Sequence, residues 1–212
     1  MRSNKLAWER LFKKQGRYFE RPHSDMEGLA QSLLSRGAKR VLDLGSGTGR
    51  HVVYLAQKGF DVYGLDISET GVGETRKWLE KEGLTAKVSV HDITKKLPFK
   101  DGFFDAVISI QVIHHAELGT VKKIIGEIGR ILKKDGLLFV TVPFYKGYDK
   151  TKPGWTMKRI AERTYLPLDG QEKGLVHYFF TKPEFRKSFP GFNIDKTYTD
   201  DTNHYALIAT KK

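Results

Sequence analysis

The sequence predicts an α/β fold: a doubly wound, mostly parallel sheet with helices on both faces and an antiparallel last strand. Three observations carry this. Through the centre of the chain, five short apolar runs alternate with longer amphipathic stretches, the pattern of a parallel sheet covered on both sides. A glycine-rich turn joins the first strand to the helix after it. The last two strand-like segments are separated by a polar turn too short for a crossover helix, which makes them an antiparallel pair at one sheet edge.

In order, strands are expected at 38–44, 60–65, 87–90, 104–110 and 137–142, each short and rich in Val, Leu, Ile and Phe. The clearest helix runs from Glu117 to Lys134, where Val121, Ile124, Ile125, Ile128, Ile131 and Leu132 recur at three- and four-residue spacing. Lys133 and Lys134 would sit in its last turn, with Asp135-Gly136 as a left-handed stop. The closing pair is 192–198 and 204–210. Residues 144–180 lack periodicity and hold Pro153-Gly154, Pro167 and Gly170, which suits an insertion or cap more than scaffold. The expected organisation is a single domain over 1–212: a helical arm at 1–37, a core at 38–143, a cap at 144–189 and a terminal hairpin at 190–212.

The 212 residues suffice for one domain's core and hold no apolar run near the roughly 18 residues a membrane span needs. The first residues show no apolar stretch with a small-residue cleavage site, so a cytoplasmic location is expected. Cys is absent, which excludes disulfide scaffolds, thiolate metal sites and cysteine nucleophiles. No metal site is expected. The net charge of +12 divides into excesses of +6 over residues 1–40, +1 over 41–143 and +5 over 144–212. Two basic flanks around a near-neutral centre suit a negative partner or, equally, a solvated Lys-rich surface.

The strongest local signal is Val41-Leu42-Asp43-Leu44-Gly45-Ser46-Gly47-Thr48-Gly49-Arg50, a buried strand running through three glycines into a helix. Side chains there would keep a ligand from the backbone amides and the helix N-terminus. Arg50 stands where the dinucleotide fingerprint needs its third Gly, and the Walker Gly-Lys-Ser/Thr is missing, so phosphate is not the evident ligand. Asp66 ends the second strand, nineteen residues after Gly47, where a carboxylate can accept both hydrogens of a ribose diol. Asp92 follows the third strand at the same sheet edge. Either could be a plain loop carboxylate, yet both fall beside the glycine loop.

With these residues in place, 38–143 resembles the class I S-adenosylmethionine-dependent methyltransferases, of the small-molecule type. Phe104 to His115 looks like the family's fourth strand and following loop. Arg130-Ile131-Leu132-Lys133-Lys134-Asp135-Gly136 looks like its R-x-L-K-P-G-G turn, with Lys134 for Pro and Asp135 for Gly. The resemblance implies a Rossmann-like, seven-stranded sheet and S-adenosyl-L-methionine as cofactor. Its cofactor set maps onto Asp43, Gly45, Ser46, Gly47, Thr48, Gly49, Asp66, Ile67, Asp92, Ile93 and Ile110. In that family the glycine loop holds the methionine part, the acid at Asp66 the ribose and the acid at Asp92 the adenine amino group, with Ile93 against the ring.

The cofactor brings an activated methyl group, so few protein groups are obligatory beyond placement, water exclusion and proton removal. His115 and His114, after the fourth strand, are the candidate bases, since a neutral imidazole accepts protons near pH 7. One of the pair could instead cap the loop. His177, Tyr178 and Tyr18 are candidate substrate contacts, and Trp8, Phe12 and Phe19 could close over the cofactor. Asn-Pro-Pro-Tyr is absent after the fourth strand, which disfavours amino methylation of nucleobases.

Three readings remain. The first is methylation of an O, N or S atom, or a metalloid centre, of a small molecule. The second is a tRNA or RNA methyltransferase, for example of a wobble-uridine carboxymethyl group, because the His-His loop resembles such enzymes and the flanks suit a polyanion. The third is a non-catalytic S-adenosylmethionine-binding module. The first is favoured, because no RNA-binding appendage is recognisable and the cap could enclose something small.

Overall fold

The computed structural model describes residues 2–17, 19–144 and 156–212, with Arg2 and Ser3 described for their backbone alone. Tyr18, Tyr145, Pro153-Gly154 and Trp155 lie outside the described residues. Two helices, α1 (Arg2–Gln15) and α2 (Met26–Ser35), lead into β1 (Arg40–Leu44), α3 (Arg50–Gln57), β2 (Asp61–Asp66), α4 (Glu69–Lys81), β3 (Lys87–Val90) and β4 (Phe104–Ile110). Then come α5 (Leu118–Ile131), β5 (Leu132–Pro143), β6 (Met157–Ala161), β7 (Thr164–Pro167), β8 (His177–Tyr178), α6 (Lys182–Lys187), β9 (Phe192–Thr199) and β10 (His204–Lys211).

Seven strands form one sheet in the order β3-β2-β1-β4-β5-β10-β9. The first five are parallel, and β10 is antiparallel to both β5 and β9. Alternation along the strands divides the core in two. Leu42, Leu44, Val107, Leu138 and Val140 pack with Ile124, Ile125 and Ile128 of α5 on one face. Val41, Ala106, Ile108, Leu137 and Phe139 pack with Met26, Leu33, Val52 and Leu79 of α2, α3 and α4 on the other. This is the period-2 code of strands buried on both faces. Residues 157–178 add a separate three-stranded sheet, β6-β7-β8.

Two expectations are corrected. The helix expected from Glu117 to Lys134 stops at Ile131, because Leu132 turns extended and pairs with Phe104. Lys133 instead reaches Asp105 at 2.5 Å, and Asp135, at φ 60°, makes a turn inside β5. A Cβ on Gly136 would come within 2.9 Å of the Lys133 carbonyl, so Asp135-Gly136 is required for this turn and not for a helix stop. The second correction concerns the alternation of strands with longer amphipathic stretches, which fails at 91–103: no helix forms there between β3 and β4. Arg130 holds this loop, donating to the carbonyls of Phe99 at 2.7 Å and Leu97 at 3.0 Å.

Candidate functional site

Parallel strands deliver their C-terminal ends to one edge of the sheet, and the loops leaving them surround a cleft of about 440 Å³. β1 ends in the glycine loop, which is fixed from β2: the Leu65 carbonyl accepts from Gly45 N at 2.7 Å and Ser46 N at 3.0 Å. All three loop glycines have positive φ. Gly45 (φ 85°) cannot carry a side chain, since a Cβ would lie 2.4 Å from Val112. Gly49 (φ 95°) would strike Thr75 at 2.6 Å. At Gly47 the nearest atom is Phe12 of α1, at 3.4 Å, so the space over this glycine belongs to the arm.

Gly45, Ser46, Gly47, Thr48, Asp66, Ile67, Asp92, Ile93 and Ile110 all line the cleft, as the sequence places them. Two of the expected set do not. Asp43 is buried beneath the loop, 3.8 Å from His51 Nδ1, and Gly49 is turned onto Thr75. Asp66 is only 7% exposed, and its two oxygens accept from Gly47 N and Ser68 N, both at 2.8 Å. Burial pushes its carboxyl up to about 6 against the pull of those two amides. Asp92 turns Oδ1 to its own loop, accepting from Thr94 N at 3.0 Å and Thr94 Oγ1 at 2.7 Å. The Ser46 hydroxyl is buried without a partner among the described residues, on the side of the loop that meets Gly64 of β2.

The other half of the cleft gathers imidazoles. The loop after β4 starts with Gln111 at φ 61° and brings His114 and His115 to the wall, their rings 4.0 Å apart. The small sheet docks here through Tyr178 N, which donates to the His114 carbonyl at 2.8 Å, and so places His177 4.6 Å from the His115 ring. His177 Nδ1 donates to the Leu175 carbonyl, and Glu172 Oε2 stands 2.9 Å from its Nε2. Burial holds the His114 imidazole well below its ordinary range and, with His177, brings His115 down to about 3. Both rings are therefore neutral, and each has an Nδ1 that is buried and unpartnered among the described residues.

Of the expected substrate contacts, His177 lines the cleft and Tyr178 does not. Neighbouring strand residues face opposite ways, and the Tyr178 hydroxyl points to Glu184 (2.5 Å) and Arg163 (3.1 Å). Tyr18 is outside the described residues. Trp8, Phe12 and Phe19 do reach the cleft. Trp8 meets His115 edge to face at 5.2 Å, and Asn4 Nδ2 donates to the His115 carbonyl at 2.8 Å.

Sequence reasoning missed Asn4, Glu172, Gln111 and the turn Thr202-Asn203-His204, all at the cleft. The turn had a topological signal: an antiparallel β10 must begin where β5 ends, and His204 pairs with Pro143. Glu172 had none, because it sits in an irregular stretch five residues before its partner.

A family described as "Methyltransferase domain" matches residues 42–140. A sterol 24-C-methyltransferase of Gibberella zeae is 37% identical over 116 residues, covering 53% of this chain and 30% of its own length. A malonyl-[acyl-carrier protein] O-methyltransferase of Geobacter sulfurreducens is 28% identical over 187 residues, 85% of this chain and 66% of that protein. The chain spans from 30% to 53% of the first curated relatives it matches. Among solved structures, the PH0226 protein of Pyrococcus horikoshii OT3 superposes with a TM-score of 0.76 at 21% identity, covering 96% of this chain and 99% of that one, a likeness of fold.

Proposed function

We propose that this chain, whose residues 42–140 match a methyltransferase domain, is a class I S-adenosylmethionine-dependent methyltransferase that methylates an O, N or S atom, or a metalloid centre, of a small molecule. The observation that carries the small-molecule reading is the roof. The arm's Trp8 and Asn4, the small sheet's His177 and the 202–204 turn all border one cleft, which suits an acceptor that can be surrounded. Arm, core, cap and terminal strands then serve one site.

The cleft's residues fit the cofactor. Gly45, Ser46, Gly47 and Thr48 line the cleft with the glycine loop, with Phe12 of α1 over Gly47. On the family resemblance Asp66 would take the ribose and Asp92 the adenine amino group, and the position of both on the cleft, with Ile67, Ile93 and Ile110 beside them, supports this. Asp43 and Gly49 act from beneath, by holding the loop. S-adenosylmethionine, when bound, supplies a methyl group on a sulfonium for in-line displacement.

The chain's own task is to hold the acceptor and to exclude water. Trp8, Phe12, Phe19, Phe144 and Phe179 give the cleft apolar walls. His115, with His114 beside it, presents neutral imidazole nitrogen to the acceptor's X–H. An imidazole lowered to about 3 is a weak base towards an alcohol, but an acceptor becomes strongly acidic as it gains the methyl group, and the proton can then pass to His115.

The deciding experiment incubates the protein with methyl-labelled S-adenosylmethionine and, separately, a small-metabolite extract and total transfer RNA. Label in the extract supports the proposal. The +12 charge favours RNA as second reading. Label in RNA, with a Michaelis constant that rises steeply with salt, would establish it instead. Cofactor binding with no transfer at all would leave a binding module.

A further inference from the structure

We infer that His114, His115 and His177, together with Glu172, form a binding site for one divalent transition-metal cation in the acceptor half of the cleft. The site goes beyond the methyltransferase reading, and its part in methyl transfer rests on that reading.

One nitrogen from each of the three imidazoles lies within 4.8 Å of the others, and the rings stand 4.0, 4.6 and 5.5 Å apart. Tetrahedral donors at bonds of about 2.1 Å are separated by roughly 3.4 Å, so ring rotations and shifts of about 1 Å close the set. His114 is 3% exposed, and its Nδ1, like that of His115, is buried with no partner among the described residues. Buried imidazole nitrogens without partners are uncommon in a settled core and expected where a ligand completes them.

His177 is the best oriented of the three. The Leu175 carbonyl can only accept, so the 2.9 Å contact fixes a hydrogen on Nδ1 and leaves Nε2, the nitrogen that faces Glu172, as the one a cation can reach. A ligating histidine held by a carbonyl at its other nitrogen is the usual outer support of a metal site. Glu172 Oε2 lies 2.9 Å from that Nε2, a hydrogen-bond distance; a cation entering between them would replace that hydrogen, and the two donors would open toward the roughly 3.4 Å of a tetrahedral pair. Three imidazoles and one carboxylate, with no thiolate, select a borderline cation such as zinc or cobalt(II) over calcium or magnesium. A cation held there takes the acceptor's heteroatom as its next ligand, in the place where His115 would otherwise receive the X–H.

The test uses the full chain, stripped with a chelator and titrated with zinc(II) alone and cobalt(II) alone. One equivalent should bind, and cobalt should give the ligand-field bands of a four- or five-coordinate site. His177→Gln should weaken binding about 100-fold and Glu172→Gln at least 10-fold. His91→Gln, outside the cluster, should leave it unchanged. A cobalt spectrum that stays that of the aqua ion, or variants within twofold of the parent, would overturn the site. Calorimetry with S-adenosylhomocysteine separates the two readings. Product binding without metal uptake defeats this inference and leaves the methyltransferase reading standing, whereas metal uptake without product binding does the reverse.

Discussion

The Asn4 side chain donates to the backbone carbonyl of His115 at 2.8 Å, so a residue at the head of α1 is tied to the cleft loop 111 positions later. The same helix is clamped to α4. Glu9 accepts from the backbone of Glu69 and of Thr70 (3.2 Å) and from Thr70 Oγ1 (2.6 Å), occupying orphan amides at the N-terminus of α4. Arg10 donates to the Lys173 carbonyl at 2.8 Å. The arm thus touches the loop after β4, the first turn of α4 and the segment that carries Glu172.

Releasing that clamp should open the roof without unfolding the core. Glu9→Ala removes the capping carboxylate, an effect of about 1 kcal/mol. Amide hydrogens of residues 4–12 should then exchange several-fold faster while those of β1, β4 and β5 are unchanged. Equal acceleration in arm and core would show that the helix is part of one cooperative unit. With S-adenosylhomocysteine present, arm protection should rise in the parent chain.

Asp66 is expected to carry two burdens. Asp66→Asn sets an amide NH2 against either Gly47 N or Ser68 N, leaving a buried donor unpaired for about 1 to 3 kcal/mol of lost stability, measured by urea unfolding. S-adenosylhomocysteine affinity should fall at least tenfold in calorimetry. A stability loss with unchanged affinity would reduce Asp66 to a staple of the glycine loop.

The three loop glycines should rank by what lies over them. Gly45→Ala meets Val112 at 2.4 Å and Gly49→Ala meets Thr75 at 2.6 Å, both in left-handed backbone, so each should cost about 2 kcal/mol or more. Gly47→Ala makes ordinary contact with Phe12 and should cost nearer 1 kcal/mol, from φ alone. Gly47→Val, bulkier, should displace Phe12 and abolish cofactor binding in a chain that still folds. Denaturation midpoints that put Gly47→Ala as the most harmful alanine would contradict this order.

Stability should respond to pH through Asp43. Burial pushes this carboxyl up to about 7, with Arg50 pulling it down and Asp66 pushing it further up. Its unfolded value is about 4. Between these values the folded chain holds a proton that the unfolded chain releases, so the contribution is full below about pH 4 and is lost as pH rises through 7. Asp43→Asn removes the titration, and its stability relative to the parent should therefore rise from pH 5 to pH 8. His51, held well below its usual range by burial, runs the other way and cancels in the difference, being present in both chains. A difference independent of pH would mean that Asp43 is ionised when folded.

Much of the scaffold was legible because burial on both faces leaves a dense apolar record: β3 and β4 match their expected bounds, and β1, β2, β9 and β10 agree within two residues. The end of α5 was not, because Leu132 continues the helical stripe while its backbone already pairs with Phe104. One wall of the cleft was legible in the spacing of Gly45, Gly47, Asp66 and Asp92, since strand ends gather at one edge. Tyr178 was misplaced because adjacent strand residues face opposite sides, and a sequence with two-residue strands gives no phase. Glu172 and Asn4 are brought in by tertiary folding from an irregular segment and a distant helix, where spacing carries no information, whereas the 202–204 turn was legible only through topology, as the start of an antiparallel β10 beside the end of β5.

The position of β10 between β5 and β9 has a consequence for how the molecule is made. As a ribosome delivers the chain, β1 to β5 can assemble around α2 to α5 while the outer edge of β5 still lacks its neighbour. Residues 137–143 of that edge, five of them Leu, Phe or Val with a Thr and a terminal Pro, wait until His204 to Thr210 emerge. An unpaired apolar edge of that kind is a template for pairing with another nascent chain. Synthesis halted before residue 204 should therefore yield aggregates in place of a smaller soluble core, and the last strand is the step that makes the fold safe.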